Sequence, residues 1–209
     1  MHLPFFNDPF QPTGEIISIE DGQLTLFADF LPQTEADIFL DILQRETPWQ
    51  QDALNFGGRQ VLIPRLQAWY GDKHSHYGYS GLALTPLPWT DTLLTLKQRI
   101  EVSSGQVFNS VLLNFYRDGK DSVSWHSDDE AELGLDPVIA SLSLGTSRRF
   151  ELRHRTKTIP KAICELEHGS LLIMGKGLQK HWQHQIPKQP AIQAPRINLT
   201  FRLIQPLQA

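Results

Sequence analysis

His126 and Asp128 stand two residues apart in the stretch from Asn114 to Asp129, NFYRDGKDSVSWHSDD. In a strand or extended loop, residues i and i+2 project to the same side. An imidazole nitrogen and a carboxylate oxygen placed this way can hold one cation together. Upstream, Asn114 and Tyr116 share a face by the same rule, so one segment offers both metal ligands and contacts for an organic ligand. A third ligand is expected downstream, where Lys180-His181-Trp182-Gln183-His184 supplies two histidines. They are three residues apart, so on a strand they face opposite sides, and spacing does not choose between them.

Two histidines and one carboxylate on one face of a cation match the ligand set of non-haem Fe(II) oxygenases, which leaves positions open for substrate and dioxygen. A zinc site is the chemical alternative. The run from Ala194 to Leu203, APRINLTFRL, bears on the cofactor. Its polar residues Arg196, Asn198, Thr200 and Arg202 alternate with Ile197, Leu199, Phe201 and Leu203. If both faces of this strand are covered, the arginines must meet anions, because an unpaired buried charge is very costly. A planar guanidinium grips a carboxylate in bidentate fashion, and a dicarboxylate would occupy two of them. On a one-sided sheet the same arginines would simply face solvent.

The elements that must position these groups read as follows. The chain has 209 residues, 40% hydrophobic and 20% charged, which fits one globular domain over residues 1–209. No run approaches the roughly 20 apolar residues of a membrane span, and the first residues lack the basic and apolar regions of a signal peptide. One cysteine, Cys164, in an alternating run, reads as a packing residue in a reducing compartment. The expected location is the cytoplasm, or the nucleus in a eukaryote. Net charge is −4, but residues 1–60 hold 10 acids against 2 bases while the rest is basic. Arg148, Arg149, Arg153, Arg155, Lys157 and Lys161 cluster against Glu151 alone, as a phosphate-binding or a solvated face.

Residues 16–27 read as a hairpin turning at Asp21-Gly22. Ala36, Phe39, Leu40 and Leu43 form a helical stripe that Thr34 can cap. A strand is expected near 60–70, with Pro64 marking an edge or bulge, and a long aromatic loop over 71–88. A second helix is expected from Thr90 to Ser103, ended by Gly105. From 108 onward come short strands at 108–116, 122–128, 138–145, 148–155, 162–167, 170–174, 181–186 and 196–204. The predicted class is α+β, mainly β: a double-stranded β-helix (jelly-roll, cupin-like) core over 106–205, with N-terminal helices packed on one sheet. Residues 1–105 would form an extension carrying the two helices and a nucleotide-recognition loop.

The segments NFYRDGKD, WHSDDE, HGSLLIM and APRINLTFR, in this order, resemble the AlkB-type 2-oxoglutarate and Fe(II)-dependent nucleic-acid demethylases. The likeness is strongest to the branch of human AlkB homologues 2 and 3, and covers roughly residues 55–204. It implies Fe(II) ligation by His126, Asp128 and His184, and 2-oxoglutarate contacts from Asn114, Tyr116, Arg196, Asn198 and Arg202. It implies alkylated DNA as partner, with RNA as the alternative, and a flipped base in the site. Tyr79, with Tyr77 beside it, matches the aromatic that stacks on that base, which fits the stabilisation an aromatic plane gives a stacked base. Asp129 and Glu130 match positions that read the base edge, Phe56 matches a wedge filling the vacated stack, and Arg65 is carried over as a further substrate contact. Asn55 departs from that branch, where an apolar residue stands. A basic loop after the third ligand is reduced to Lys188-Gln189-Pro190.

The activity so implied is oxidative demethylation of 1-methyladenine and 3-methylcytosine by a DNA repair dioxygenase. The methyl group is hydroxylated and lost as formaldehyde while 2-oxoglutarate becomes succinate and carbon dioxide. The rivals are a 2-oxoglutarate oxygenase acting on RNA or protein, a non-catalytic nucleic-acid-binding β-barrel, and a zinc hydrolase. No membrane partner is expected, and a monomer is the default.

Overall fold

In a computed structural model describing residues 12–73, 77–79, 82–84 and 86–205, the chain forms two packed antiparallel sheets with helices against one of them. Strands β1 (Glu15–Ile19) and β2 (Gly22–Phe27) make the first hairpin. Its loop is Glu20-Asp21 rather than Asp21-Gly22, because Ile19 pairs with Gly22. Asp21 takes the left-handed conformation at φ 54°, which aspartate tolerates. Gly22 answers to crowding instead: a Cβ there would sit 3.3 Å from Leu178 Cδ1.

Helix α1 (Gln33–Glu46) buries Ala36, Phe39 and Leu43 from the expected stripe. Thr34 does not cap it. The helix starts at Gln33 behind Pro32, whose carbonyl accepts from Ala36 N, so Thr34 lies inside the first turn. Strands β3 (Ala53–Phe56) and β4 (Arg59–Leu62) pair around Gly57-Gly58, both at positive φ as a primed turn requires. The single strand expected over 60–70 is split at Pro64. Strand β4 belongs to that small hairpin, and β5 (Leu66–Gly71) becomes an edge of the main sheet. The long loop contains a two-stranded piece, β6 (Tyr77–Tyr79) with β7 (Leu82–Leu84). Helix α2 (Asp91–Ser104) follows expectation: Thr90 Oγ1 accepts from Leu93 N, and Gly105 ends it at φ 66°.

The eight strands of the second half all form. They are β8 (Ser110–Tyr116), β9 (Val123–His126), β10 (Ile139–Gly145), β11 (Arg148–His154), β12 (Ala162–Leu166), β13 (Leu171–Met174), β14 (Trp182–Ile186) and β15 (Arg196–Arg202). One sheet runs β1-β2-β13-β10-β15-β8-β5 and the other β12-β11-β14-β9, the two-sheet layout of a jelly roll. Between β13 and β14 lies a one-turn helix, α3 (Leu178–His181). His181 therefore ends a helix rather than sharing a strand with His184.

Every residue of β15 is buried, so both its faces are covered. Ile197, Leu199 and Phe201 pack with Leu142, Leu144 and the helix residues Phe39, Leu93, Leu96 and Ile100. The opposite face looks between the sheets, where Phe150, Leu152, Met174, Trp182 and Ile186 form a second core. The arginines of β15 thus point into the seam, and the solvent-facing reading of that strand fails.

Candidate functional site

Strand pairing alone brings two of the candidate ligands together. His126 on β9 pairs directly with His184 on β14, and their ring centroids lie 4.3 Å apart. The chain leaves the β9 ladder at His126, so Asp128 stands on coil and is only 3% exposed. The ligand atoms of His126, Asp128 and His184 all lie within 4.8 Å of one another. His126 Nδ1 is 2.8 Å from the carbonyl of Ser124. A carbonyl only accepts, so Nδ1 carries the hydrogen and Nε2 keeps its lone pair free for a cation.

Arg202 from β15 donates to Asp128 Oδ1 at 2.8 Å. Burial works against ionising this carboxyl, but the Arg202 guanidinium and the two histidines hold it down at about 2. His184 moves the other way. Burial, with the neighbouring His126, pushes it down to about 3, which keeps the imidazole neutral as a ligand must be.

The remaining candidates line the same seam. Arg196 is 1% exposed; its Nη2 donates to Ser143 Oγ, while Nε and Nη1 find no hydrogen-bond partner among the described residues. Burial pushes this guanidinium down to about 10, and it stays cationic near neutrality. Tyr116 lies between two guanidiniums, 5.3 Å from Arg196 and 5.4 Å from Arg148. Asn198 donates to Ser141 Oγ and to the carbonyl of Leu142, and accepts from Thr200. Asn114 Oδ1 accepts from Arg65 Nε at 2.8 Å. A buried cation with open donors beside a cluster of three ligands fits a metal and an anionic chelator bound side by side.

The substrate candidates are less gathered. Arg65 is buried against Asn114 and the carbonyl of Ser122, and it lines the same cavity as the three candidate ligands. Asp129 is exposed and paired with Arg155 at 2.8 Å. Glu130 is half-buried, with Oε2 unpartnered among the described residues. Phe56, Tyr77 and Tyr79 lie on β3 and β6, but their side chains fall outside the described part.

The profile of the 2OG-Fe(II) oxygenase superfamily matches residues 23–202. The chain is 44% identical over 197 residues to the alpha-ketoglutarate-dependent dioxygenase alkB homolog 3 of Mus musculus, covering 88% of this chain and 67% of that one. It is 38% identical over 182 residues to the DNA oxidative demethylase ALKBH2 of Homo sapiens, covering 82% of this chain and 70% of that one. The chain belongs to the AlkB-type 2OG-Fe(II) oxygenases. A solved structure of OsALKBH1 shares the fold at a TM-score of 0.61 and 19% identity, over 90% of this chain and 100% of that one.

As a 2OG-Fe(II) oxygenase the chain uses Fe(II) and 2-oxoglutarate, and the donor set between its sheets suits both. A second group, Asp21, His154 and His181, also lies within metal-ligand distances, but its protons argue against a metal. His154 Nδ1 accepts from the backbone N–H groups of Thr156 and Lys157. Its hydrogen is therefore on Nε2, which faces Asp21 Oδ2 at 3.2 Å, and Lys157 already pairs with that carboxylate.

The cationic cluster of this oxygenase is also less free than its sequence implied. Arg148 is fully buried and donates to the carbonyls of Asp118, Asp121 and Pro187. Arg149, Arg155, Lys157 and Lys161 each meet a carboxylate, and Arg153 stacks on Trp125 at 4.5 Å. Partners such as Glu20, Glu165 and Asp129 come from distant segments, which a local charge count does not register.

Ser141, Ser143 and Gln179 were not singled out from sequence. The two serines had a signal, since they alternate with Ala140, Leu142 and Leu144 in IASLSLG. Gln179 had none.

Proposed function

We propose that this AlkB-type oxygenase removes N-linked methyl groups from DNA bases such as 1-methyladenine and 3-methylcytosine. His126, Asp128 and His184 hold the Fe(II), and Arg196 pairs with the distal carboxylate of 2-oxoglutarate. The observation that carries this reading is the buried, partly unpartnered Arg196 guanidinium in the same seam as the three ligands. The names of the relatives, a dioxygenase and a DNA oxidative demethylase, support the substrate class.

Bound Fe(II) and 2-oxoglutarate supply the oxidising power, with succinate and carbon dioxide as co-products; the protein supplies placement. Arg202 keeps Asp128 ionised, the Ser124 carbonyl fixes the His126 tautomer, and Phe150, its ring tilted against His184 at 5.2 Å, keeps water from one side. Asn114, Tyr116 and Asn198 line the path of the dicarboxylate. A target base, flipped from the stack at lower cost when its pairing edge is methylated, lies between Tyr79 and His126, with Asp129 and Glu130 at its polar edge. Phe56 fills the gap it leaves, and the chain acts as a monomer.

The test is incubation with methylated single-stranded DNA, duplex DNA and RNA, plus Fe(II) and 2-oxoglutarate, following loss of the methyl by mass spectrometry. Loss from DNA with stoichiometric succinate is the expected result. Turnover confined to RNA would replace the substrate, and succinate formation insensitive to any nucleic acid would overturn the proposal.

A further inference from the structure

Asp128 is the one member of the triad without a strand to hold it. The segment 127–130 is coil, so its backbone position depends on side chains from elsewhere. Two contacts tie it to the α3–β14 junction, of which one uses a side chain from outside the coil: Ser127 Oγ donates to the backbone carbonyl of Trp182, and Asp128 N donates to Gln179 Oε1, both at 2.9 Å. Gln179 is 1% exposed on α3, and its Nε2 donates to Met174 Sδ on β13 at 3.5 Å. The two contacts fix the amide's orientation, since Asp128 N needs the oxygen and the thioether can only accept.

From this geometry we infer that Gln179 is a positioning residue for the metal centre. It acts through the backbone amide of Asp128 and ties the coil-borne carboxylate to α3, which leads into β14 and reaches His184 five residues beyond Gln179. Arg202 holds the Asp128 carboxyl group; Gln179 holds the peptide from which that group projects. Outer partners of metal ligands commonly set affinity in this way. The inference rests on the ligand assignment proposed above.

Its test is a calorimetric titration of the full metal-free chain with Mn(II), a redox-silent stand-in for Fe(II), on Gln179→Leu and Gln179→Glu. Leucine removes the acceptor; glutamate keeps a carboxyl oxygen as acceptor for Asp128 N. Gln179→Leu should raise the Mn(II) Kd about tenfold, at the lower end for outer ligands, and Gln179→Glu should stay within about threefold of the parent. With Fe(II) held saturating for each variant, the KM for 2-oxoglutarate should not move, because Arg196 is untouched. A folded Gln179→Leu with parental Mn(II) affinity overturns the inference, as does an equal loss in both variants, which would assign the effect to packing. If Gln179→Leu does not fold, the volume-conserving Met174→Leu decides. It frees the other end of the amide and should weaken Mn(II) in the same direction, and no change would overturn the role. A parent chain that takes up no Mn(II) would instead sink the ligand assignment, and this inference with it.

Discussion

At the residue scale the buried Asp128–Arg202 pair decides how the triad should be probed. Truncating Asp128 to alanine takes the carboxylate away from a guanidinium that is 6% exposed, and breaking one side of such a pair costs about 3–5 kcal/mol. Asp128→Asn keeps the shape and an acceptor for Arg202. It should abolish succinate and formaldehyde release with a smaller loss of stability than Asp128→Ala; turnover retained in the asparagine variant would exclude Asp128 as a ligand. Arg196→Ala should raise the KM for 2-oxoglutarate at least about tenfold, the worth of a charge-assisted contact of about 1.5–3 kcal/mol, and an unchanged KM would remove Arg196 from the cofactor's path. These residues were legible because period-2 polarity on β15 survives in the folded strand. The choice of His184 over His181 was not legible from spacing, because a one-turn helix gives way to a strand between them.

At the element scale the turn joining β8 to β9 places the H-x-D segment. The Asp121 carboxylate accepts from Arg117 N, Nε and Nη2 at 2.8–2.9 Å, and Arg148 donates to the Asp121 carbonyl. Burial opposes ionisation of Asp121, yet the Arg117 hydrogen bonds hold its carboxyl below the usual range. A carboxyl depressed in the folded state stabilises above its unfolded pKa of about 3.9, and that stabilisation is lost as pH falls through that value toward the folded one. Asp121→Asn should therefore cost about 1–3 kcal/mol at pH 7, and the gap to the parent should narrow below about pH 3.9. Urea unfolding at pH 7 and pH 3 measures it; an equal gap at both would dissociate the effect from the Arg117 pair. The sequence carries no local sign of this bracing. Arg148 looked like one more surface cation, and only the approach of the 187–189 segment, with Gln189 accepting from both Arg148 Nε and Arg149 N, shows it to be buried.

At the scale of the whole molecule, the two sheets enclose one seam, in which Phe150, Met174 and Ile186 line the same cavity as His126, Asp128, His184 and Arg196. The alternation of eight short strands made the two-sheet class legible. The order in which they pair was not, since β2-β13-β10-β15 brings together strands from across the chain and local pattern carries no information about it. One consequence is measurable without substrate. Ligands that bind only the folded seam stabilise by mass action, about 2.7 kcal/mol at a hundredfold excess over Kd. For a chain of this size about 1 kcal/mol shifts Tm by roughly 2–4 °C, so saturation with Mn(II) and 2-oxoglutarate should raise Tm by about 5–11 °C for each ligand at that excess. The increments should also separate by residue. Arg196→Ala should keep the Mn(II) increment and lose most of that from 2-oxoglutarate. Asp128→Asn should lose the Mn(II) increment and, because the keto-acid chelates the metal, much of the second as well. Equal increments in both variants would mean that the two ligands stabilise the chain from outside the seam.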